Sequence, residues 1–344
     1  MSDAKALPAG SMPATAAAEW HIKPAYDWKT VLLLIVAFCL LSVSAHRMEL
    51  HRLSGQLGEF LQASVGLKES SQIGRGLGSV TQQMYPIAIA ERTPVALIDG
   101  FDPDRLPLFS HLETVDIEET ALDPDTLQMA TTTTQKTFLV EPVGYLTFTL
   151  GKMLETIEMA IWASLLAVLV SLPLAWLAAG NFSPHPVFHG LSRTFISFLR
   201  AVPELISALF LVLAFGFGPI AGILALALHS VGFLGKFFAE DVEAADKGPQ
   251  EAMRATGAGD LAVLRLAVMP EVLPSYTALS FYILDRNIRM GTVIGLVGAG
   301  GIGQELKGRY DMFQYDHVAT ILLIIFLSVL LLDRAAANIR KKLI

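Results

Sequence analysis

Six stretches of the chain stay apolar for longer than the roughly 4–8 residues of a buried strand, and they are unevenly spaced. The first, residues 31–45 (VLLLIVAFCLLSVSA), stands alone. Residues 46–150 then mix polar and apolar positions. From residue 154 the apolar runs return in quick succession, at 154–179, 194–215, 219–238, 273–297 and 317–336. Most approach or exceed the ~20 residues that cross a hydrocarbon core at 1.5 Å per residue. The pattern predicts an all-α polytopic membrane protein of about six transmembrane helices, carrying one small water-exposed insertion.

Inside the insertion the periodicity changes. HRLSGQLGEFLQ (51–62) repeats as a helix does, whereas YPIAIAE (85–91), HLETVDIEE (111–119) and TTTTQKTFLV (131–140) read as strand pieces between Pro and Asp turns. Residues 1–30 read as a disordered N-terminal tail, rich in Ala, Pro and Ser. The run 31–45 is short for a span, and Val43-Ser44-Ala45 resembles a signal-peptidase site, so a cleaved leader competes with a membrane helix. Tyr26 and Trp28 supply an interfacial edge that lengthens the run, which favours an uncleaved first transmembrane helix.

Composition agrees with the membrane reading. Hydrophobic residues make up 53% of the 344 and charged residues 17%, with a mean hydropathy of +0.52. Soluble domains carry about 25% charged residues. The net charge of −7 resides in the insertion, where 14 Asp/Glu face 7 Lys/Arg; the rest is balanced, with no basic face for nucleic acid. One cysteine, Cys39, rules out an internal disulfide framework. Basic residues recur beside alternate connections: Arg193 and Arg200, then Lys236, Lys247, Arg254 and Arg265, then Arg340-Lys341-Lys342. The positive-inside rule then predicts both termini in the cytoplasm and the insertion outside.

GLVGAGGIGQE (295–305) matches G-x-G-x-x-G through Gly298, Gly300 and Gly303, a dinucleotide fingerprint when it joins a strand to a helix in a βαβ unit. Here no second strand follows, only a short polar link over 304–316 and another apolar run. Gly298, Gly300, Gly301 and Gly303 are therefore expected to end a span and turn the chain outside the membrane.

The stretch EAMRATGAGDLAVLRLAVMP (251–270) carries the strongest signal. Glu251 to Thr256 predicts a short helix capped by Gly257, followed by a second amphipathic helix and a new segment from Pro270. Such an elbow across the mouth of a bundle offers a rigid knob to a partner; an ordinary interfacial loop is the competing reading. Its spacing resembles the EAA loop of importer-type ABC permeases: Glu251-Ala252-Met253, three residues, Gly257, nine residues, Ala267, one residue, Met269-Pro270. Met253, Ala267 and Met269 depart from the pattern by small or apolar swaps. RAVPE (200–204), GPIAGILALALHSVGFLGK (218–236) and NIRMGTVIGLVGAGGIG (287–303) extend the resemblance to the phosphonate-uptake permeases of bacteria, over roughly 151–344. The insertion departs from the shorter connection expected in that family.

The resemblance implies the type I ABC importer permease fold in the bacterial inner membrane. It implies a non-catalytic subunit, embedded in membrane lipid, that pairs with a second copy of itself, two separate ABC ATPase subunits and a soluble extracytoplasmic substrate-binding protein. Glu251, Ala252, Arg254, Gly257 and Pro270 would couple it to the ATPase. No G-x-x-x-x-G-K-[ST] occurs, so ATP and its Mg²⁺ would sit on the partner and no cofactor on this chain. The implied cargo is phosphonate, or a related oxyanion such as phosphite or phosphate. Methionine or a quaternary amine is the rival cargo. A membrane-anchored receptor that uses 46–150 as its ligand domain is the rival class.

Charge inside the membrane marks a second site. LDRNIR (284–289) lies near the middle of the fifth run, and a mid-span charge costs about 2.5–3.5 kcal/mol on insertion scales. At 100° per residue Asp285, Arg286 and Arg289 share one arc, Asp285 and Arg289 can pair at i,i+4, and Arg286 lacks a local counter-ion. Arg286, Asn287, Arg289 and Glu204 are thus candidates for an anion pathway. A structural ion cluster involving Glu204 is the competing reading. His229 reads as a packed histidine, and Lys236 as a side chain reaching for the interface.

Overall fold

Proline and glycine decide where the apolar runs become helices and where those helices break. The computed structural model describes residues 28–343 except 67, 69, 99, 104, 108 and 123–128; side chains are described outside 51, 53, 118–132 and 335–344. The expected tail largely lies outside the described residues. The chain divides into two compact units, with the boundary between Ser79 and Val80.

The first unit holds α1 (Trp28–Arg47), which buries no side chain, and α2 (Leu50–Ser64), which begins after a left-handed Glu49. Helix α3 (Gln72–Gln83) crosses the boundary. The expected helix at 51–62 falls within α2.

The second unit opens with β1 (Glu91–Pro94), β2 (His111–Leu122) and β3 (Met129–Glu141), an antiparallel sheet in the order β1-β3-β2. Thr114 faces Thr137 and Arg92 faces Val140 in its register. The insertion is therefore not one body: from Val80 onward it belongs with the bundle. Of the expected strand 85–91 only Glu91 joins the sheet. Its backbone bonds to helices instead: Ala88 donates to the Asp316 carbonyl at 3.3 Å, the Ile89 carbonyl accepts from Leu146 at 3.2 Å, and Thr320 donates to the Ala88 carbonyl at 2.5 Å.

The bundle consists of α4 (Gly144–Ala178), α5 (Pro186–Ala201), α6 (Glu204–Phe215), α7 (Pro219–Ala244), α8 (Lys247–Ala255), α9 (Asp260–Val263), α10 (Met269–Gly295), α11 (Gly301–Asp311) and α12 (Tyr315–Leu343). At 35 residues α4 is roughly 50 Å long and starts ten residues before the expected span. Small residues on α4, among them Ala163, Ala167, Ser171 and Ala175, repeat every fourth position and lie buried against α7. That spacing lets two backbones approach closely where water cannot drive association. The Ser171 hydroxyl donates to the Val231 carbonyl at 3.3 Å across this seam.

Two expectations are corrected. The run 194–215 is not one continuous helix, because α5 and α6 meet at 91° across Val202 and Pro203. Pro203 supplies no N–H, and the residue before a proline avoids the helical region; Val202 is extended at ψ 120°. The polar link 304–316 is mostly helix α11. By length and composition α1, α4, α7 and α12 can each cross a membrane, and the bent pair makes a fifth. Helix α10 has the length, at 27 residues, but carries Glu271, Asp285, Arg286 and Arg289.

Candidate functional site

The knob is built as an anchored inner face and a bare outer one. Asp246 caps α8, its carboxylate accepting from the Gly248 amide at 3.1 Å. Its own amide donates to both carboxylate oxygens of Glu271 on α10, at 3.0 and 3.2 Å. Gln250, 4% exposed, donates to the Ala245 and Asp246 carbonyls at 3.1 and 3.0 Å, tying α8 to the end of α7. Met253 and Ala258 pack on the hydrophobic core below. Glu251, Ala252, Arg254 and Gly257 remain exposed.

Gly257 ends α8 at φ +85°, its amide donating to the Arg254 carbonyl at 2.9 Å, and a Cβ there would meet nothing within 4 Å. Arg254 lies 3.4 Å from Asp260, and its guanidinium sits 5.8 Å from the Phe182 ring in the α4–α5 connection. That connection is held to α7 by Glu243, which accepts from the Gly180 amide at 2.7 Å and pairs with Arg193 at 2.6 Å.

Pro270 stands at the start of α10, as expected, but the helical path does not break there. Helix α9 passes into α10 through a π-helical turn over Leu264–Val268, with Pro270 in the first turn of α10. A proline ring clashes with the carbonyl four residues earlier, here Leu266, and a widened turn relieves the clash. The α8 elbow therefore joins α10 by a continuous rod.

The charged interior separates into two groups. Asp285 and Arg289 pair as expected, at 2.6 and 3.2 Å, and Arg289 also meets Asp333 of α12 at 3.2 Å. Asp333, a lone carboxylate in the last apolar run, was the missed signal. Arg286 turns the other way. Its counter-ion is distant in sequence: its Nη2 lies 2.5 Å from Oε1 of Glu204, whose side chain is 4% exposed. His229 Nε2 is 3.5 Å from the same oxygen. The contact is not aligned as a hydrogen bond, and both Glu204 oxygens and Arg286 Nη1 lack hydrogen-bond partners among the described residues. Asn287 is wholly buried, donating to Ser164 at 2.9 Å and accepting from Ser230 at 3.1 Å, so its amide ties α10 to α4 and α7.

The glycine turn is crowded. Gly298, Gly300 and Gly301 have φ of +90°, +87° and +69°, and residues 298–303 are all buried. Glu155 and Thr156 of α4 accept from the Gly301 and Ile302 amides at 3.0 and 2.9 Å, satisfying the start of α11. A Cβ on Gly303 would run into the Thr292 carbonyl of α10. Nearby, Tyr145 is fully buried, with the His317 ring edge-on at 4.4 Å and the Arg309 guanidinium 4.9 Å from its centroid. Burial opposes the charge of Arg309, but the hydrogen bond at 2.7 Å and the charge of Glu305 outweigh it and raise the pKa.

A bent apolar bundle with an anchored, outward-facing short helix in its α7–α10 connection is the design of type I ABC importer permeases. Residues 171–344 match the family described as "Binding-protein-dependent transport system inner membrane component", and the chain belongs to that family. It is an inner-membrane permease subunit of an ABC importer.

HtxE of Stutzerimonas stutzeri, provisionally named a phosphite transport system permease protein, is 55% identical over 261 residues, covering 76% of this chain and 100% of that one. PtxC of the same organism, named a phosphite transport system permease protein, is 47% identical over 55% of this chain and 69% of its own. The phosphate-import permease protein PhnE of Mycolicibacterium smegmatis is 44% identical over 55% of this chain and 36% of its own. The HtxE match is longer than the 151–344 core, so the likeness reaches into the insertion, which was expected to depart from the family. Among solved structures, the inward-facing MetNI methionine ABC transporter aligns at a TM-score of 0.51 and 19% identity, over 58% of this chain and 97% of that one, a likeness of fold.

Proposed function

We propose that the chain carries phosphite, phosphonate or phosphate oxyanions into the cytoplasm by alternating access. It works as a homodimer with two ATPase subunits and an extracytoplasmic binding protein. The observation that carries the coupling half of this reading is α8: its inner face is fixed by Glu271 and Gln250, while Glu251, Ala252 and Gly257 face outward. A helix held this way transmits a push. One path runs through the unbroken α9–α10 rod to Arg286 and Arg289, the other through Phe182 and Glu243 to α5 and the bend before Glu204. ATP, bound with Mg²⁺ on the partner, supplies the movement.

The names of the relatives support an oxyanion cargo, and Arg286 is the residue assigned to meet it. A guanidinium offers planar, bidentate donors to oxyanions, and Arg286 Nη1 has no hydrogen-bond partner among the described residues. Asn287 is placed in the same reading as a brace that fixes the turn carrying Arg286. Both termini are assigned to the cytoplasm.

The test is reconstitution of the permease with its ATPase and binding protein in liposomes. Phosphite or phosphate should stimulate ATP hydrolysis and accumulate, and methionine should do neither. Stimulation by methionine with no response to oxyanions would overturn the cargo assignment.

A further inference from the structure

We infer that Glu204 is an internal stand-in for the cargo: it occupies Arg286 when no oxyanion is present and must be displaced before one binds. This rests on the reading of Arg286 as the residue that meets the anion.

The two charged groups of α10 differ in how well they are satisfied. Arg289 makes three contacts of hydrogen-bond geometry to Asp285 and Asp333, which suits a permanent brace between α10 and α12. The Arg286–Glu204 pair is close, at 2.5 Å, yet leaves buried oxygens and a buried nitrogen without hydrogen bonds. Removing two charges from water without completing their hydrogen bonds is costly, so a pair in this state has less to lose by exchanging partners. An oxyanion with several oxygens can accept from both ends of the guanidinium, which Glu204 does not do here.

Displacement leaves a buried carboxylate, and three features prepare for that. His229 Nε2, already 3.5 Å from Oε1, can turn a donor toward it. Glu204 stands in the first turn of α6, a 12-residue helix, where the helix dipole favours a negative charge. It also follows the 91° bend at Val202–Pro203, so movement of α5 against α6 changes its distance from α10. The arrangement prevents an unoccupied arginine from attracting arbitrary anions into the bundle, and it makes cargo binding depend on where α6 stands.

The test is equilibrium binding of radiolabelled inorganic phosphate to the purified permease–ATPase complex, without binding protein, beside uptake in liposomes. Glu204→Gln keeps the size of the side chain and removes its charge. It should bind phosphate at least tenfold more tightly than the unmodified complex, and Glu204→Gln with Arg286→Gln should lose that gain. Glu204→Asp, which keeps the charge on a shorter arm, should show the same direction with a smaller change and serves if Glu204→Gln does not assemble. If both variants bind no more tightly while Arg286→Gln still abolishes uptake, Glu204 is a brace; the stand-in role falls and the pathway reading stands. If Arg286→Gln transports normally, the pathway reading itself falls, and the stand-in role with it.

Discussion

Gly257 and Gly303 both belong to glycine-rich joints between helices, but their surroundings are opposite. Gly257 sits at φ +85° in open space, where an added Cβ would find no neighbour within 4 Å. Gly303 lies inside α11, buried, with Thr292 and Gly295 of α10 pressed against it. The first glycine is required by backbone conformation and the second by proximity. Substitutions at the two should therefore fail in different ways: one should disturb communication with a partner, the other assembly of the bundle.

The largest effect is expected from Gly303→Ala. The added methyl meets backbone atoms of Thr292 and Gly295, which cannot rotate away as a side chain can. Overpacking of this kind costs about 3 kcal/mol when the backbone must shift. Thermal unfolding of the detergent-solubilised protein should show a large loss of stability together with a fall in yield. A melting curve unchanged from that of the unmodified protein would mean that α10 and α11 are not in backbone contact.

Gly257→Leu should leave folding nearly intact and damage coupling. A non-glycine residue in the left-handed region costs about 1–2 kcal/mol, and a bulky exposed side chain adds an obstacle where the ATPase is proposed to seat. Stimulation of ATP hydrolysis by loaded binding protein should drop about tenfold, equivalent to roughly 1.4 kcal/mol of coupling. Retained stimulation would remove α8 from the coupling path.

Much of this contrast is legible in the chain. The EAA spacing locates the elbow and Gly257 marks its cap, because both depend on neighbours within a few residues. The i,i+4 pair Asp285–Arg289 is legible for the same reason. What stays hidden depends on distant partners. Arg286 and Glu204 are 82 positions apart; an ion cluster with Glu204 is one of two readings the sequence leaves open, and nothing local says that a bend at Pro203 brings the two together. Helix α11 looks like a link because its first amides are satisfied by Glu155 and Thr156 of α4, far away in sequence. The broken span is concealed because apolar stretches lie on both sides of RAVPE (200–204), so the run appears continuous until backbone geometry is considered.

Between the two glycines lies Glu271, whose substitution by Gln should have an intermediate effect. Its carboxylate accepts the Asp246 amide with both oxygens, and an amide side chain offers only one acceptor and no charge. A charge-assisted hydrogen bond is about twice as strong as a neutral one. ATPase stimulation should fall about threefold, with the melting temperature within a few degrees of the unmodified protein. An unaltered response would show that Gln250 and the apolar underside of α8 hold the knob without Glu271.

The smallest change is the sharpest test of the distinction. Gly257→Asn keeps a side chain that tolerates the left-handed region, and the space around it is empty. If backbone conformation is the whole requirement at Gly257, this variant should retain most coupling and lose only a few tenths of a kcal/mol of stability relative to glycine. Gly257→Ala, smaller but less tolerant of positive φ, should be the worse of the two. Should alanine couple better than asparagine, size at the partner surface would outweigh φ, and Gly257 would resemble Gly303 after all: a glycine selected for closeness, with the close neighbour on the ATPase.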